Sequence, residues 1–220
     1  VTVAGRTLLE IALARLRGFG VREVVVNAHH YADRIVAYLA EHGNFGMRIE
    51  VSREETLLDT GGGLKKAAAF FLEEEDEPFF VHNVDVISTI DLGRMAAFHR
   101  EQGALATLAV AEREASRLLL FDQAGQLCGR RAKDGEAETA RPAEKTQALA
   151  FAGIHVVSPR LFVLMREEGS FSIIDAYLRL AAEGQRVVAY RADGAYWRDL
   201  GRPESIAAAE KDMQSGLAGQ

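Results

Sequence analysis

The feature of this sequence that most restricts its fold is a regular alternation of amphipathic segments with short, continuous apolar runs. The amphipathic segments predict helices over residues 7–19, 31–40, 64–72 and 91–102, and the apolar runs predict strands over 23–27, 48–53, 78–83 and 105–111. Strands that are apolar along their whole length are buried on both faces, which is typical of a mostly parallel sheet between two helix layers. The sequence therefore predicts an α/β fold with three layers, α/β/α.

The pattern changes after Ala111. Two short apolar runs, 117–121 and 127–131, flank the turn sequence Asp122-Gln123-Ala124-Gly125-Gln126, which predicts a β-hairpin, and the polar residues 133–145 predict an exposed loop. The remaining elements are predicted strands over 148–157, 187–190 and 196–199 and helices over 159–165, 173–183 and 203–214. We expect one domain over residues 1–220 with a mixed sheet and a small β appendage, a hairpin and loop inserted at about 112–147.

Composition excludes several classes of function. With a net charge of −6, the chain has no basic surplus to meet nucleic-acid phosphates or an anionic membrane. No apolar run approaches the ~20 residues that a membrane span needs, and no signal peptide is visible. Cys128 is the only cysteine, which excludes an intramolecular disulfide and favours a reducing, cytoplasmic location. The sequence leaves the oligomeric state open between a monomer and a homodimer.

Three consecutive glycines, Gly61-Gly62-Gly63, stand between the predicted strand 48–53 and the predicted helix 64–72. Three residues without side chains allow a flat or bulky group to lie against the main chain. The N–H groups at the start of the following helix would then face that group. We predict a ligand-binding loop here.

Two aspartates, Asp85 and Asp199, each follow a predicted strand. Ligands of parallel α/β sheets bind beyond the carboxyl ends of the strands, and Mg²⁺ is held by one or two carboxylates together with substrate phosphates. Each aspartate alone is equally well interpreted as a turn residue or a helix cap. Together they predict a shared metal site.

Other candidate side chains have weaker support. Lys145 could neutralise a phosphate, although a solvated loop lysine is the simpler interpretation, and the same holds for Lys65 and Lys66. His29 and His30 lack a third ligand at a suitable spacing, so we interpret them as structural. The sequence has no Gly-x-Ser-x-Gly, no Gly-x-x-x-x-Gly-Lys-Ser/Thr and no Gly-x-Gly-x-x-Gly after a strand. These absences count against a serine hydrolase, a P-loop ATPase and a dinucleotide oxidoreductase.

Taken in order, the motifs resemble those of the sugar-nucleotide pyrophosphorylases in the nucleotidyltransferase family. The resemblance is strongest to the short enzymes similar to mannose-1-phosphate guanylyltransferase and N-acetylmuramate-1-phosphate uridylyltransferase. The matching segments are Val3-Ala4-Gly5-Arg6-Thr7-Leu8-Leu9, Val24-Val25-Val26-Asn27-Ala28-His29, Leu57-Leu58-Asp59-Thr60-Gly61-Gly62-Gly63, Asn83-Val84-Asp85, Phe151-Ala152-Gly153-Ile154-His155-Val156 and Trp197-Arg198-Asp199-Leu200-Gly201-Arg202-Pro203-Glu204. Each is weak alone, and the series is fairly specific.

The resemblance implies a Rossmann-like fold and a reaction that joins a nucleoside triphosphate to a sugar 1-phosphate and releases pyrophosphate. It implies that Asp85 and Asp199 hold Mg²⁺. It implies that Glu144-Lys145 corresponds to the family's Glu-Lys-Pro, with Thr146 replacing proline, so that Lys145 binds phosphate. The implied substrate contacts are Thr60, Gly61, Gly62 and Gly63 with Glu54 or Glu55 at the nucleobase, Asn83 beside Asp85, and Gly153 with the segment from Ser172 to Asp175 at the sugar.

Two departures from the family pattern favour an alternative, a non-catalytic nucleotide-sugar-binding or regulatory domain on the same fold. The family's opening strand and glycine-rich, arginine-containing loop would precede Val1, and the loss of that central strand predicts a gap in the sheet. Because the sequence opens directly at Val1, we expect it to continue an upstream segment. Val84 replaces the glycine of Asn-Gly-Asp and is expected to crowd a ligand. Neither the nucleobase nor the sugar, or another phosphorylated acceptor, follows from the sequence.

Overall fold

The computed structural model describes residues 1–72, 77–132 and 135–217. The helices are α1 (Leu8–Gly18), α2 (Ala32–Glu41), α3 (Asp59–Lys66), α4 (Ala68–Phe71), α5 (Leu92–Gln102), α6 (Arg160–Leu164), α7 (Ile173–Ala182) and α8 (Pro203–Gln214), with a 3₁₀ turn at Gly43–Gly46. The strands are β1 (Thr2–Val3), β2 (Arg6–Thr7), β3 (Glu23–Ala28), β4 (Arg48–Arg53), β5 (Phe79–His82), β6 (Val86–Ser88), β7 (Ala106–Ala111), β8 (Arg117–Phe121), β9 (Leu127–Ala132), β10 (Ala137–Thr139), β11 (Gln147–Val157), β12 (Val187–Arg191) and β13 (Trp197–Asp199). Apart from the segment after Leu58, every predicted helix and strand is present, with its ends within two residues.

The long strand β11 lies at the centre of a mixed, seven-stranded sheet. It pairs antiparallel with β5, with β7 and, near its start, with β8, while β12 pairs parallel with β7. Strands β5, β7 and β12 therefore run in one direction, and β11 runs in the opposite direction between β5 and β7. Their carboxyl ends point to the same edge of the sheet as the start of β11, and Asn83 and Asp85 directly follow the carboxyl end of β5.

Helices cover both faces of this sheet. Alternate residues of β7 face opposite sides: Leu108 and Val110 pack in one buried cluster with α7, and Ala109 packs in another with Met95 of α5. The predicted three-layer α/β/α arrangement is confirmed. None of the helices in the described ranges is long and apolar enough to cross a membrane.

Strands β3 and β4 form a parallel pair of their own. Leu13 of α1, Leu39 of α2 and Met47 pack against this pair in a separate buried cluster. Within the described part of the chain, no hydrogen-bonded ladder joins β3 or β4 to β5. The sheet thus has the gap that the family resemblance predicts.

The β appendage continues the main sheet. Strands β8 and β9 form the predicted hairpin, and β10 extends it by pairing with β9. Because β8 also pairs with the start of β11, one strand serves both the appendage and the core. Strand β10 lies where a loop was predicted, although its residues are exposed as expected. Residues 133 and 134 of that predicted loop lie outside the described residues.

The prediction of a glycine loop followed by one helix over 64–72 is wrong. The three glycines lie inside α3, which begins at Asp59 and ends at Lys66, and Ala67 separates it from the short helix α4. Glycine disfavours a helix interior by roughly 1 kcal/mol relative to alanine. Local preference is therefore overridden by the contacts that these glycines make.

Candidate active site

Asp85 and Asp199 converge on one space at the carboxyl edge of the sheet. Strands β6 and β13 form an antiparallel ribbon in which Asp199 lies opposite Val86, and the Leu200 N–H donates to the Asp85 carbonyl at 2.8 Å. A methyl group built on Gly201 would lie 3.0 Å from Asp199 Oδ1 and 3.4 Å from Asp85 Oδ2. The fold thus brings together two carboxylates that are 114 positions apart in sequence.

The electrostatics of this pair fit a cation site. Burial raises the pKa of Asp85, and the neighbouring Asp199 raises it further. Across residues 1–72, 77–132 and 135–217, no group of three or more His, Cys, Asp or Glu side chains could hold a metal ion. Mg²⁺ is commonly held by one or two carboxylates, with its other ligands from water and phosphate. The two aspartates fit such an ion, which would take its remaining ligands from substrate and water.

Asn83 and Gly153 are in contact beside this space. The Asn83 N–H donates to the Gly153 carbonyl at 2.9 Å, and a Cβ on Gly153 would lie 2.7 Å from Asn83 Nδ2. Gly153 has φ +73°, in the segment of β11 where its register against β7 shifts. Glycine is required here for both its backbone conformation and its lack of a side chain. The Val84 side chain, predicted to crowd a ligand, is 48% exposed, and its contact with a ligand stays a prediction.

Gly61 and Gly62 pack against the protein itself. A Cβ on Gly61 would lie 2.3 Å from the Phe171 ring, and a Cβ on Gly62 would lie 2.3 Å from the main-chain oxygen of Gly169. The groups that lie against these glycines are therefore the segment 169–171. At these two positions protein groups fill the space where a side chain would lie, and contact of Gly61 and Gly62 with a ligand stays a prediction.

Gly63 differs from its two neighbours because polar side chains face it. A Cβ there would lie 2.6 Å from both Asn27 Nδ2 and Glu54 Oε1. Asn27 lies near the end of β3 and is exposed, so this corner reaches the surface. Asn27 was not among the predicted site residues; the signal for it was a polar residue at the end of an apolar strand, where ligands of α/β sheets bind.

The structure distinguishes Glu54 from Glu55 by their burial and contacts, whereas the sequence left both as candidates for contact with the nucleobase. Glu54 is 9% exposed, its Oε2 accepts a hydrogen bond from the Leu58 N–H at 3.1 Å, and its carbonyl lies 2.8 Å from His29 Nδ1. Glu55 is exposed. Only the Glu54 carboxylate faces the glycine helix.

Thr60 links α3 to the start of α7 by a hydrogen bond. Its Oγ1 accepts a hydrogen bond from the Ile173 N–H at 3.0 Å. Main-chain bonds run alongside, from the Gly61 N–H to the Phe171 carbonyl at 2.9 Å and from the Phe171 N–H to the Leu58 carbonyl at 3.1 Å. These bonds hold α3 on residues 169–173, so that the segment predicted to contact the nucleobase and the segment predicted to contact the sugar pack directly against each other.

Ser172 and Asp175, predicted to lie near the sugar, already have partners in the protein. Ser172 caps α7, and its Oγ accepts a hydrogen bond from the Ile174 N–H at 3.3 Å. Asp175 forms an ion pair with Arg130 of β9, which also pairs with Glu138 at 2.7 Å. The pairing ties α7 to the appendage. Contact of Ser172 and Asp175 with a sugar stays a prediction.

Lys145 lies in the connection between β10 and β11. It lines a surface cavity of about 320 Å³ together with Asp122, Gly125 and Arg191. Neither Asp85 nor Asp199 is among the described residues that line this cavity, and the role of Lys145 as a phosphate ligand stays a prediction. Lys65 and Lys66 donate to the carbonyls of Glu167 and Arg53.

The chain is similar in sequence to known nucleotidyltransferases over nearly its whole length. An N-acetylmuramate alpha-1-phosphate uridylyltransferase of Caulobacter vibrioides is 32% identical over 218 residues, which cover 96% of this chain and 85% of the relative. A mannose-1-phosphate guanylyltransferase of Mycobacterium tuberculosis is 26% identical over 220 residues, 98% of this chain and 58% of the relative. The chain spans little more than half the length of this relative and of other mannose-1-phosphate guanylyltransferases that it matches.

Solved structures support the predicted fold. A UDP-glucose pyrophosphorylase complexed with UDP-glucose superposes with a TM-score of 0.77 at 16% identity, over 98% of this chain and 89% of that one. A putative glucose-1-phosphate thymidylyltransferase from Bacillus anthracis also gives a TM-score of 0.77, at 15% identity, over 96% and 84%. The family profile described as "Nucleotidyl transferase" matches residues 1–216. The chain therefore belongs to the nucleotidyl transferase family.

Proposed function

We propose that this protein is a Mg²⁺-dependent, cytoplasmic nucleotidyltransferase that joins a nucleoside triphosphate to a sugar 1-phosphate, giving an NDP-sugar and pyrophosphate. The observation that supports it most directly is the convergence of Asp85 and Asp199 beside Gly201 at the carboxyl edge of the sheet. Family membership supports the same class of reaction. The proposal rests on the two carboxylates and not on Lys145.

The proposed reaction needs no side-chain nucleophile. A phosphate oxygen of the sugar 1-phosphate attacks the α-phosphorus of the triphosphate, a new P–O bond forms, and the bond to the β-phosphate oxygen breaks with release of pyrophosphate. Catalysis then depends on in-line positioning and neutralisation of charge. When bound, Mg²⁺ would neutralise charge on the phosphates, and Asp85 and Asp199 would fix its position.

We place the nucleobase at the corner formed by Gly63, Asn27 and Glu54 rather than over all three glycines. The faces of Gly61 and Gly62 are occupied by residues 169–171, whereas Gly63 faces an exposed amide and a buried carboxylate. Guanine, uracil and thymine each carry a ring N–H that could donate a hydrogen bond to a carboxylate. Glu54 is thus the proposed base-reading residue.

Replacement of Glu54 by glutamine is expected to raise the KM for the preferred nucleoside triphosphate about tenfold. A hydrogen bond to a charged group contributes roughly 1.5–3 kcal/mol, and the amide that replaces the carboxylate accepts less strongly. The measurement is KM in a pyrophosphate-release assay, with Glu50→Gln, at an exposed glutamate of β4, the strand directly before Glu54, as the matched control. A tenfold effect in Glu55→Gln with none in Glu54→Gln would show that the wrong glutamate was chosen.

The direct test of the function is pyrophosphate release by the full-length protein. Each of ATP, GTP, CTP, UTP and dTTP is offered with glucose, mannose and N-acetylmuramate 1-phosphates, and turnover with at least one pair is expected. Nucleotide-sugar binding without turnover of any pair would favour the alternative, a non-catalytic binding domain. The productive pair would also identify the base and the sugar.

A further inference from the structure

Arg113, in the segment that leaves β7, holds the strand that carries Asp199. Its guanidinium lies over the Trp197 ring, with Cζ 4.1 Å from the ring centroid. Its Nη1 donates to the Trp197 carbonyl at 2.9 Å. Such a stack is well within the distance of an attractive cation–π interaction. One side chain therefore contacts both the ring and the main chain of a residue two positions before Asp199.

The carbonyl that Arg113 binds lies on the free edge of the β6–β13 ribbon. The ladder to β6 uses the Tyr196 carbonyl, which accepts from the Thr89 N–H at 2.8 Å, and the Leu200 N–H, which donates to the Asp85 carbonyl at 2.8 Å. In an antiparallel pair, successive residues direct their polar main-chain groups to opposite edges. The main-chain N–H and carbonyl groups of Trp197 and Asp199 therefore point away from β6. Arg113 provides the hydrogen-bond donor for the Trp197 carbonyl.

A second bond fixes the same segment to the connection between β12 and β13. The Glu112 N–H donates to Asp193 Oδ1 at 2.7 Å. Each strand of the β6–β13 ribbon has only three residues, and a ribbon of this size is marginally stable by itself. The residues after β7 thus brace β13 along an edge that has no strand partner among the described residues.

We infer that Arg113 is a positioning residue for the metal site of the proposed function: through Trp197 it sets the orientation of Asp199 and so the affinity for a divalent cation. The inference rests on the proposed role of Asp199 as a metal ligand. Residues that orient metal ligands typically change metal affinity 10–100-fold when they are removed.

Titration of the full chain with Mn²⁺, followed by electron paramagnetic resonance without nucleotide, tests this inference. Arg113→Ala is expected to bind Mn²⁺ at least about tenfold more weakly than the wild type. Arg113→Lys keeps the charge but loses the planar stack, so an intermediate loss is expected, and it serves as the readout if the alanine variant does not fold. Arg117→Ala, at an exposed arginine of β8, is the matched control with unchanged affinity.

The outcomes separate this inference from the proposed function. Affinity within twofold of the wild type in folded Arg113→Ala or Arg113→Lys would overturn the role of Arg113 alone, leaving the two-aspartate site intact. No Mn²⁺ binding by the wild type would overturn the metal assignment and the role of Arg113 with it. Equal losses in Arg113→Ala and Arg117→Ala would show a general charge effect and would also overturn the inference.

Discussion

The Asp85→Asn variant is expected to lose about a thousandfold in turnover and to unfold at a higher temperature than the wild type at neutral pH. The loss follows from the proposed role of Asp85, because a metal that neutralises phosphate charge contributes several kcal/mol to the transition state. The gain in stability follows from the environment of the carboxylate. In its proposed role, Asp85 would serve the reaction at a cost in folding stability.

The sign of the stability effect follows from the pKa. Burial and Asp199 raise the pKa of Asp85 in the folded state above its ordinary value of 3.8. The folded state therefore binds this proton more tightly than the unfolded state does, and the resulting stability is lost as the pH rises through the folded-state pKa. At neutral pH the ionised carboxylate costs stability that asparagine does not. Below about pH 3.8 the wild type and the variant should differ little.

Thermal unfolding as a function of pH, in chelator and in Mg²⁺, measures this effect. Mg²⁺ should raise the Tm of the wild type but not that of Asp85→Asn. Asp193→Asn is the matched control, because the Arg191 hydrogen bond lowers the pKa of Asp193, so that its replacement should lower the Tm at neutral pH. An Asp85→Asn variant that turned over like the wild type, or melted below it in chelator, would contradict the assignment.

The Gly62→Ala variant is expected to be destabilised by about 1–2 kcal/mol, although alanine is the better helix former. The helix preference favours alanine by roughly 1 kcal/mol, but overpacking a close contact typically costs about 1–3 kcal/mol. The new Cβ would lie 2.3 Å from the carbonyl oxygen of Gly169, and main chain cannot move aside as a side chain can. The clash should therefore outweigh the helix preference, and the free energy of unfolding should fall.

Denaturant unfolding of Gly62→Ala and Gly18→Ala together tests this expectation. Gly18 ends α1 and has no atom within 4 Å of its added Cβ, so the same substitution there should be neutral or stabilising. Turnover of Gly62→Ala should fall as well, because α3 and residues 169–173 would separate. Equal stability of the two variants would contradict the packing argument.

The strands and helices of the core were predictable because their periodicity reflects burial. The direction of β11 was not, because an apolar strand buried on both faces has the same pattern whether its neighbours are parallel or antiparallel. Strands β1, β2 and β6 have two or three residues each, too few for a pattern. Direction and short pairings depend on tertiary contacts.

The candidate site, like the fold, was predictable from the sequence only in part. Asp85 and Asp199 were predicted as a pair because strand ends converge at one edge and the family motifs agree. The surroundings of the glycines were not predictable, because the segment that fills the space beside Gly61 and Gly62 lies more than 100 residues away. Arg113 was missed for a similar reason. Its contact with Trp197 joins segments with no common motif.

The packing of α3 against residues 169–171 also limits how related sequences can diverge. At position 61 the closest obstruction is the Phe171 ring at 2.3 Å, with the Phe171 main-chain oxygen at 2.9 Å, so a smaller residue 171 would remove most of the obstruction and leave a contact that a small shift relieves. At position 62 the obstruction is a backbone oxygen, which no substitution removes. We therefore expect correlated substitution between positions 61 and 171 among homologues, and invariance at 62 wherever these two segments keep their spacing.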